Sequence, residues 1–520
     1  MRNLKRKNIL FYSLFCSCIV LFYQFNNVWV AIHENDLVSG CDSFGYARQA
    51  QLFRKSNNFV SALDTSINSD VQNVLNDWGK STSSKYRDWF QMIAPHAHHF
   101  RNTSDKVILQ YPPGTGWLLS NFQENKARRI LWILSFTGIA SLFLARINIS
   151  DSPLTNLSLA LTSLGSLYIT NTFSTRSDSI SPSCFIAVMI TTLAIRSINL
   201  LHRNYKIPLF EVSIITFLYG FSLSIRPGNL LFIAAPIAIY AVAFILNIKL
   251  IFRSICICFS VLLISILPLL QANQINTGSF LSTTYSSIDT TFDLSSFFTN
   301  LSLINESLED SIRVIIVLFF SIIFSYRVWV KKENNGFSLS QRILICLSWF
   351  FMILMIFLMA LKPVFNLYYL APQLVMTTCF SSMSILVSPS ALTANFSRID
   401  KFRSLMIGFS LTIFIFGYLF IKPSTIDSFP LSNNWPKNSI VWSDSVGSSL
   451  LYYHNINTAK LHFGSKDAQR EIVEYLSKNN IEQFVLDEKN QVSNFKNIST
   501  GSLKEVSSYS NLKLFKYIPD

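Results

Sequence analysis

Apolar residues fall along this chain in blocks rather than in alternation. Runs long enough to cross a bilayer read, to within a few residues, as 9–32, 128–147, 154–173, 180–200, 208–225, 228–247, 254–271, 312–330, 343–361, 366–387 and 404–422. Each approaches the ~20 apolar residues that a spanning helix needs. Residues 33–125, between the first run and the second, are polar. After about Ser424 the pattern changes again. Ser439 to Ser443 and Ile481 to Leu486 read as strands, and Ser465 to Lys478 as a helix with Ala468, Ile472, Tyr475 and Leu476 on its apolar side. The pattern predicts an all-α polytopic membrane protein of about eleven transmembrane helices over residues 1–423, with a large first extracytoplasmic loop at 33–125. A small soluble α/β extracytoplasmic domain follows over 424–520.

Charge orients this arrangement. Arg2, Lys5, Arg6 and Lys7 precede the first run, and no small-residue cleavage site follows it, so the pattern predicts an uncleaved span with a cytoplasmic N-terminus. Loops then assigned inside carry Arg146, Arg196, Arg203, Lys206, Lys249, Arg253, Lys331, Lys332 and Lys401, among others. The short loops assigned outside hold only Arg176, Arg226, Arg313 and Lys362. This asymmetry follows the positive-inside rule and puts the C-terminal domain outside the cytoplasm, with a bacterial plasma membrane as the expected location.

Composition agrees. Half of the 520 residues are apolar, 14% are charged and Phe alone occurs 45 times, which excludes a string of soluble globules. The net charge of +14 is spread among the loops, with no dense basic run or basic amphipathic helix, so nucleic acid is not an expected partner. Apart from Cys41, and Cys184 close to the outer end of its run, the cysteines lie inside apolar runs, where Cys acts as a small hydrophobe. Cys41 and Cys184 lie nearer the outer surface.

Candidate chemistry starts directly after the first apolar run. In the stretch from Ser39 to Ala50, Asp42, Tyr46, Gln49 and Phe53 fall at i, i+4, i+7 and i+11, so a helix puts a carboxylate, a phenol and an amide on one face. Ser39-x-x-Asp42 also fits a capping box with an acid in the first turn. The two readings are compatible, and Asp42 is the candidate catalytic residue.

The outside cations matter because topology disfavours them. Arg226, in Ser-Ile-Arg-Pro-Gly, and Lys362, before Pro363, each sit at a break between apolar runs. There an ionisable residue faces a cavity or partner, or snorkels to headgroups. Arg176 and Asp178 share one tight loop and could simply neutralise each other. His96, His98 and His99 form a cluster, but no carboxylate or Cys completes a usual ligand spacing. Tyr111 to Trp117 is Gly-rich yet lacks Gly-Lys-Ser/Thr, so it is no phosphate-cradling loop. Its two prolines suit a rigid entry into a short helix.

Taken together these pieces resemble the GT-C glycosyltransferases, multi-span enzymes that take a sugar from a polyprenyl-phosphate carrier and include protein O-mannosyltransferases and the aminoarabinose transferases of lipid A. The resemblance rests on an acidic motif opening the first outer loop (Gly40 to Tyr46) and a Tyr-Pro-Pro-Gly element closing it (Tyr111 to Gly114). It also rests on the polar turn with Asp178, on Arg226-Pro227, on Asn276 to Phe280, and on an aromatic-Tyr-Leu-x-Pro segment from Tyr368 to Pro372. It covers most of residues 9–422.

The resemblance implies a donor on a polyprenyl-phosphate lipid, an acceptor that is a lipid, glycan or protein, and contact with membrane lipids. Transfer then needs a base for the acceptor hydroxyl and a cation for the leaving phosphate. Asp42 is the expected base and Arg226 the expected phosphate partner, with Lys362 or Arg176 as alternates. Tyr46, Tyr111, Asp178 and Tyr368 are the other expected substrate-binding residues. Many members carry two adjacent acids where this chain has Asp42-Ser43, so a divalent metal is not expected and no other cofactor is called for. A single base opposite the leaving group implies inversion at the sugar carbon. A transporter or flippase of lipid-linked glycans is the alternative. It calls for mid-membrane charges and repeated halves, and the sequence offers neither.

Overall fold

The structure, a computed structural model, describes residues 41–86, 89–123, 126–144, 177–248, 251–285, 296–297, 300, 308–330, 336–362, 366–386, 435–443, 450–451, 455–461, 464–487, 491–509 and 512–520. The runs at 9–32, 154–173 and 404–422, Ser39 and Arg176 lie outside the described residues. The chain divides into two compact units, one of residues 1–34, 126–268 and 288–423, the other of 35–125, 269–287 and 424–520.

The first unit is helical. Four stretches among the described residues are long and apolar enough to cross a membrane: Ile180–Asn204, Pro227–Ile245, Ile251–Thr277 and Leu339–Ala360. Leu209–Ile225 and Ser311–Tyr326 are apolar but shorter. Large apolar side chains such as Phe252, Phe259, Phe350 and Ile353 stay exposed on these helices, as contact with lipid requires. This is a polytopic membrane protein.

Helix Ile180–Asn204 packs against Ala127–Leu144, Leu209–Ile225 and Ala371–Leu386. Its buried face is rich in small residues, among them Ser181, Ser183, Ala187, Ala194 and Ser197, which let helix backbones approach closely where no hydrophobic effect drives association. Buried hydroxyls supply further links. Ser321 Oγ lies 2.8 Å from Thr378 Oγ1, Ser325 Oγ lies 2.9 Å from Ser381 Oγ, and Trp349 Nε1 donates to Ser325 at 2.8 Å.

The Arg226-Pro227 break is structural as well as sequential. Proline disfavours helical backbone in the residue before it, and Arg226 is extended at φ −157° and ψ 124°. Helix Leu209–Ile225 therefore stops at Arg226, and a 3₁₀ segment, Pro227–Ile233, leads into helix Ala234–Ile245.

The second unit joins the first polar loop to the C-terminal region through one core. Helix Asp70–Thr82 starts at Ser69, whose side chain accepts from Gln72 N, a standard N-cap. Its buried Val71, Leu75 and Trp78, with Trp89, Met92 and Phe100, pack with Ile440, Trp442, Ile472, Leu476, Val485 and Phe495 from the C-terminal region. Polar links run the same way. Ser69 Oγ donates to Asn457 Oδ1 at 2.8 Å, Lys460 N to Met92 O at 3.1 Å, and Tyr86 OH to Glu471 at 2.8 Å. Lys85 at 2.5 Å and the Tyr86 hydroxyl hold the Glu471 carboxyl below its ordinary range.

Two sheets belong to this unit. The first loop contains a two-stranded hairpin that the sequence pattern did not announce, β1 (His98–Arg101) paired antiparallel with β2 (Lys106–Leu109). The C-terminal sheet is built from β3 (Ser439–Trp442), β4 (Thr458–Ala459), β5 (Glu482–Leu486), β6 (Ser502–Tyr509) and β7 (Leu512–Ile518), in the order β4-β3-β5-β7-β6. β3 runs parallel to β4 and β5, while β7 is antiparallel to both β5 and β6. Helix Lys466–Lys478, capped by Ser465, lies where the pattern placed it.

Asn276 braces the 269–287 segment within the same unit. Its Oδ1 accepts from Thr65 N and Thr65 Oγ1, both at 3.0 Å, and its Nδ2 donates to Leu63 O at 2.8 Å.

Candidate functional site

Helix Cys41–Lys55 carries Asp42 in its first turn, the place where the helix dipole favours a negative charge. Tyr111 OH donates to Asp42 Oδ1 at 2.7 Å, and Gln110 Nε2 donates in turn to the Tyr111 hydroxyl at 2.9 Å. Among the described residues no Lys or Arg stands within ion-pair distance of Asp42. Its carboxylate is thus oriented by a phenol and not neutralised by a cation.

Close packing fixes that phenol. The Tyr111 ring lies 4.7 Å from Tyr46 and 6.3 Å, edge to face, from Tyr285. Its backbone carbonyl accepts from Gln49 Nε2 at 3.1 Å. Gly45 makes room for the ring, because a Cβ there would lie 2.2 Å from two Tyr111 ring carbons. Gly116 is needed likewise, since its Cβ would meet Gln49 at 2.5 Å. The helix entry that the two prolines suggest is present as Pro113–Ser120. Arg54 Nη2 ties the ends of the two helices, donating to Leu119 O at 2.9 Å and Phe122 O at 3.1 Å. Asp42, Tyr46 and Tyr111, three of the residues singled out from sequence, therefore form one cluster. Tyr46 and Gln49 on the same helix face are buried, each 1% exposed.

The first unit holds a second cluster. Arg226, 7% exposed, donates from Nη1 to Ser179 Oγ at 3.1 Å. Its guanidinium lies over the rings of Tyr369 at 4.5 Å and Tyr368 at 5.7 Å, a cation–π arrangement that pre-orients the planar fork. Asn229 braces the turn by donating to Ser183 Oγ at 2.9 Å and Ser222 O at 3.0 Å. Asp178, beside Ser179, is held by Arg128, whose Nε reaches both carboxylate oxygens at 2.8 and 2.9 Å. Arg226, Asp178 and Tyr368 thus belong to one cluster, in which Arg128, Ser179 and Tyr369 are additions that sequence reasoning did not single out. The doubled Arg128-Arg129 at the head of an apolar run was the available signal. Lys362 follows the end of helix Gly336–Ala360, and its carbonyl accepts from Asn300 Nδ2 at 2.6 Å.

The histidines serve the hairpin. His98 and His99 sit in β1, both buried, and His98 Nδ1 lies 3.1 Å from His96 O. Burial pushes both imidazoles down to about 3, helped at His98 by the charges of Arg48 and Lys460 and at His99 by those of Arg101 and Lys460. They are neutral at physiological pH. Among the described residues neither ring nitrogen of His99 has a hydrogen-bond partner.

Comparison with solved structures places the fold. The crystal structure of ArnT from Cupriavidus metallidurans in the apo state is similar over 96% of this chain and 97% of that one, with a TM-score of 0.52 and 12% identity. The same protein bound to undecaprenyl phosphate is similar over the same shares, with a TM-score of 0.51 and 11% identity. No protein-family model and no curated protein matches the chain. The fold is that of ArnT, and the likeness extends over nearly the whole length of both proteins.

Proposed function

We propose that this chain is an integral-membrane glycosyltransferase that moves a sugar from a polyprenyl-phosphate carrier to an acceptor hydroxyl on the extracytoplasmic face, with inversion at the sugar carbon. The end-to-end likeness to ArnT, one form of which is bound to undecaprenyl phosphate, carries this reading.

The chemistry of the two clusters supports it. Asp42 is the general base. Tyr111 engages one carboxylate oxygen, which leaves the other to accept the proton of the acceptor hydroxyl. The acceptor oxygen, its proton passing to Asp42, attacks the anomeric carbon as the carbon–oxygen bond to phosphate breaks, and polyprenyl phosphate departs as an anion. Arg226 is the cation for that anion. Its stacked guanidinium offers a fixed fork to phosphate oxygens. Asp178 has a different part, as counter-ion and anchor of Arg128. Lys362 and Arg176 remain alternates for the phosphate, and Tyr46 and Tyr368 for substrate contact. No step requires a metal.

The test is sugar transfer from a labelled polyprenyl-phosphate donor in membranes holding wild type or Asp42→Asn. Asn keeps the volume and the capping capacity of Asp but takes no proton at neutral pH. Insertion should survive while transfer falls by roughly 10²–10⁴-fold, the usual scale for a lost general base. Arg226→Gln should weaken use of the donor. Near-normal transfer by Asp42→Asn refutes the assignment.

A further inference from the structure

The Tyr111 hydroxyl that orients Asp42 is itself held from the side of the hairpin. Gln110 follows β2 directly, and both of its backbone polar groups are fixed. Its N–H donates to Ala97 O at 3.1 Å, and its carbonyl accepts from Thr284 Oγ1 at 3.1 Å. From this anchored backbone the side-chain amide reaches the Tyr111 hydroxyl at 2.9 Å, and that hydroxyl reaches Asp42 Oδ1 at 2.7 Å. Gln110, Tyr111 and Asp42 thus stand in a row.

Chemistry sets the direction of the row. An ionised carboxylate only accepts hydrogen bonds, whereas a phenol has one proton to give and lone pairs to accept with. The single Tyr111 proton therefore goes to Asp42. A phenol oxygen whose proton is engaged there can only accept from Gln110, so the amide turns its N–H₂ group, not its carbonyl, toward the ring. Every donor then points the same way, from Gln110 to Tyr111 to Asp42, and each bond strengthens the next. A residue at this position that accepted instead would compete with Asp42 for the same proton.

We propose that Gln110 is a positioning residue for the base. It acts through Tyr111, committing the phenol proton to Asp42, which holds one carboxylate oxygen in place and leaves the other for the acceptor hydroxyl. The part played by Asp42 rests on the transferase reading, whereas the direction of the donor row does not. A simple brace would need only a bond between the two side chains, in either direction. The positioning role needs the donor on the Gln110 side, and two substitutions of similar length separate the two. Gln110→Met keeps the reach and loses the donor. Gln110→Glu keeps the reach and the bond but reverses it, because the carboxylate takes the phenol proton. Gln110 is half-buried, so at pH 8 the new carboxyl is ionised.

The experiment measures transfer at pH 8 from a labelled polyprenyl-phosphate donor by the full chain in lipid nanodiscs. It compares wild type, both variants, and each variant combined with Tyr111→Phe. Gln110→Met should lower kcat roughly two- to tenfold, the scale of one neutral hydrogen bond, and Gln110→Glu roughly ten- to hundredfold, the scale of a bond to a charged group. Neither should change the donor KM. In the Tyr111→Phe background the difference between the two should vanish. Gln110→Glu as active as Gln110→Met, or a difference that survives loss of the Tyr111 hydroxyl, overturns the proposal and leaves Gln110 a brace. Should Gln110→Glu not fold, Gln110→Lys, which can only donate, takes its place and should transfer faster than Gln110→Met; an equal or slower rate overturns the proposal. Thermal unfolding reads the row without activity. Gln110→Met should lower the unfolding midpoint of wild type but not that of Tyr111→Phe, and equal losses in both overturn the row. Failure of wild type to transfer sugar, with that unequal loss retained, sinks the transferase reading and its base but keeps the donor row.

Discussion

Gly45→Ala tests how tightly the carboxylate cluster is built. By helix propensity alone the change should stabilise helix Cys41–Lys55, since Gly costs about 0.8–1 kcal/mol against Ala in a helix interior. The structure reverses the sign. The new methyl would stand 2.2 Å from Cδ2 and Cε2 of Tyr111, well inside contact distance. The ring cannot step aside freely, because the ring centres of Tyr46 and Tyr285 lie 4.7 and 6.3 Å from its own. Forcing a methyl into such a site costs about 1–3 kcal/mol, and displacing the phenol also weakens its 2.7 Å bond to Asp42. We expect a net loss of about 1–2 kcal/mol together with reduced transfer. In a Tyr111→Ala background the obstruction is gone, and Gly45→Ala should become neutral or stabilising by up to about 1 kcal/mol. Thermal unfolding of the four proteins in nanodiscs reads this cycle. The reasoning fails if Gly45→Ala is harmless in wild type, or if it costs the same with and without the Tyr111 ring.

The remaining predictions concern the other ionisable groups. Asp178 is buried but Arg128 keeps partial contact with solvent, so Asp178→Asn should cost less than the roughly 3–5 kcal/mol of breaking a fully buried pair and still destabilise. The double variant Asp178→Asn/Arg128→Gln should lose at least about 1 kcal/mol less than the sum of the single changes, as a double-mutant cycle in unfolding would show. His98 and His99 are held neutral down to about 3 in the fold and titrate near 6.5 when unfolded, so the unfolded chain binds more protons and stability falls as pH drops below about 6.5. At pH 5.5 each histidine should cost about 1.4 kcal/mol. His99→Phe gives up no hydrogen bond and should remove its share of the fall between pH 7.5 and 5.5, whereas an unchanged pH profile would contradict the burial argument.

Much of the fold is legible in the sequence because spanning helices and a small α/β sheet each have a distinct pattern of apolar positions. The helices around Ile180–Asn204 follow from runs of apolar residues, and Lys466–Lys478 from its one-sided apolar face with Ser465 as cap. The β1–β2 hairpin is harder to read. Its residues, including the two buried histidines, do not alternate between apolar and polar, because both faces are covered. Nor does sequence periodicity reveal that Met92, Trp89 and Leu75 share a core with Trp442 and Ile472. That core forms between segments several hundred residues apart in the chain. Gly464 marks the junction, since a Cβ there would meet Met92 Sδ at 2.0 Å.

The candidate site was legible by residue type but not by role. Asp42 and Asp178 look alike in sequence, each an acid in a polar segment that borders an apolar run. Their partners separate them, and those partners lie 69 and 50 residues away. Arg128 Nε reaches both oxygens of Asp178, so that carboxylate is engaged with a cation and takes a proton only at the cost of leaving the half-buried arginine uncompensated. Tyr111 touches one oxygen of Asp42 with a neutral donor and fixes its direction without consuming its charge. A base must be both oriented and able to accept a proton, which is why the proposed reading gives that part to Asp42 and not to Asp178.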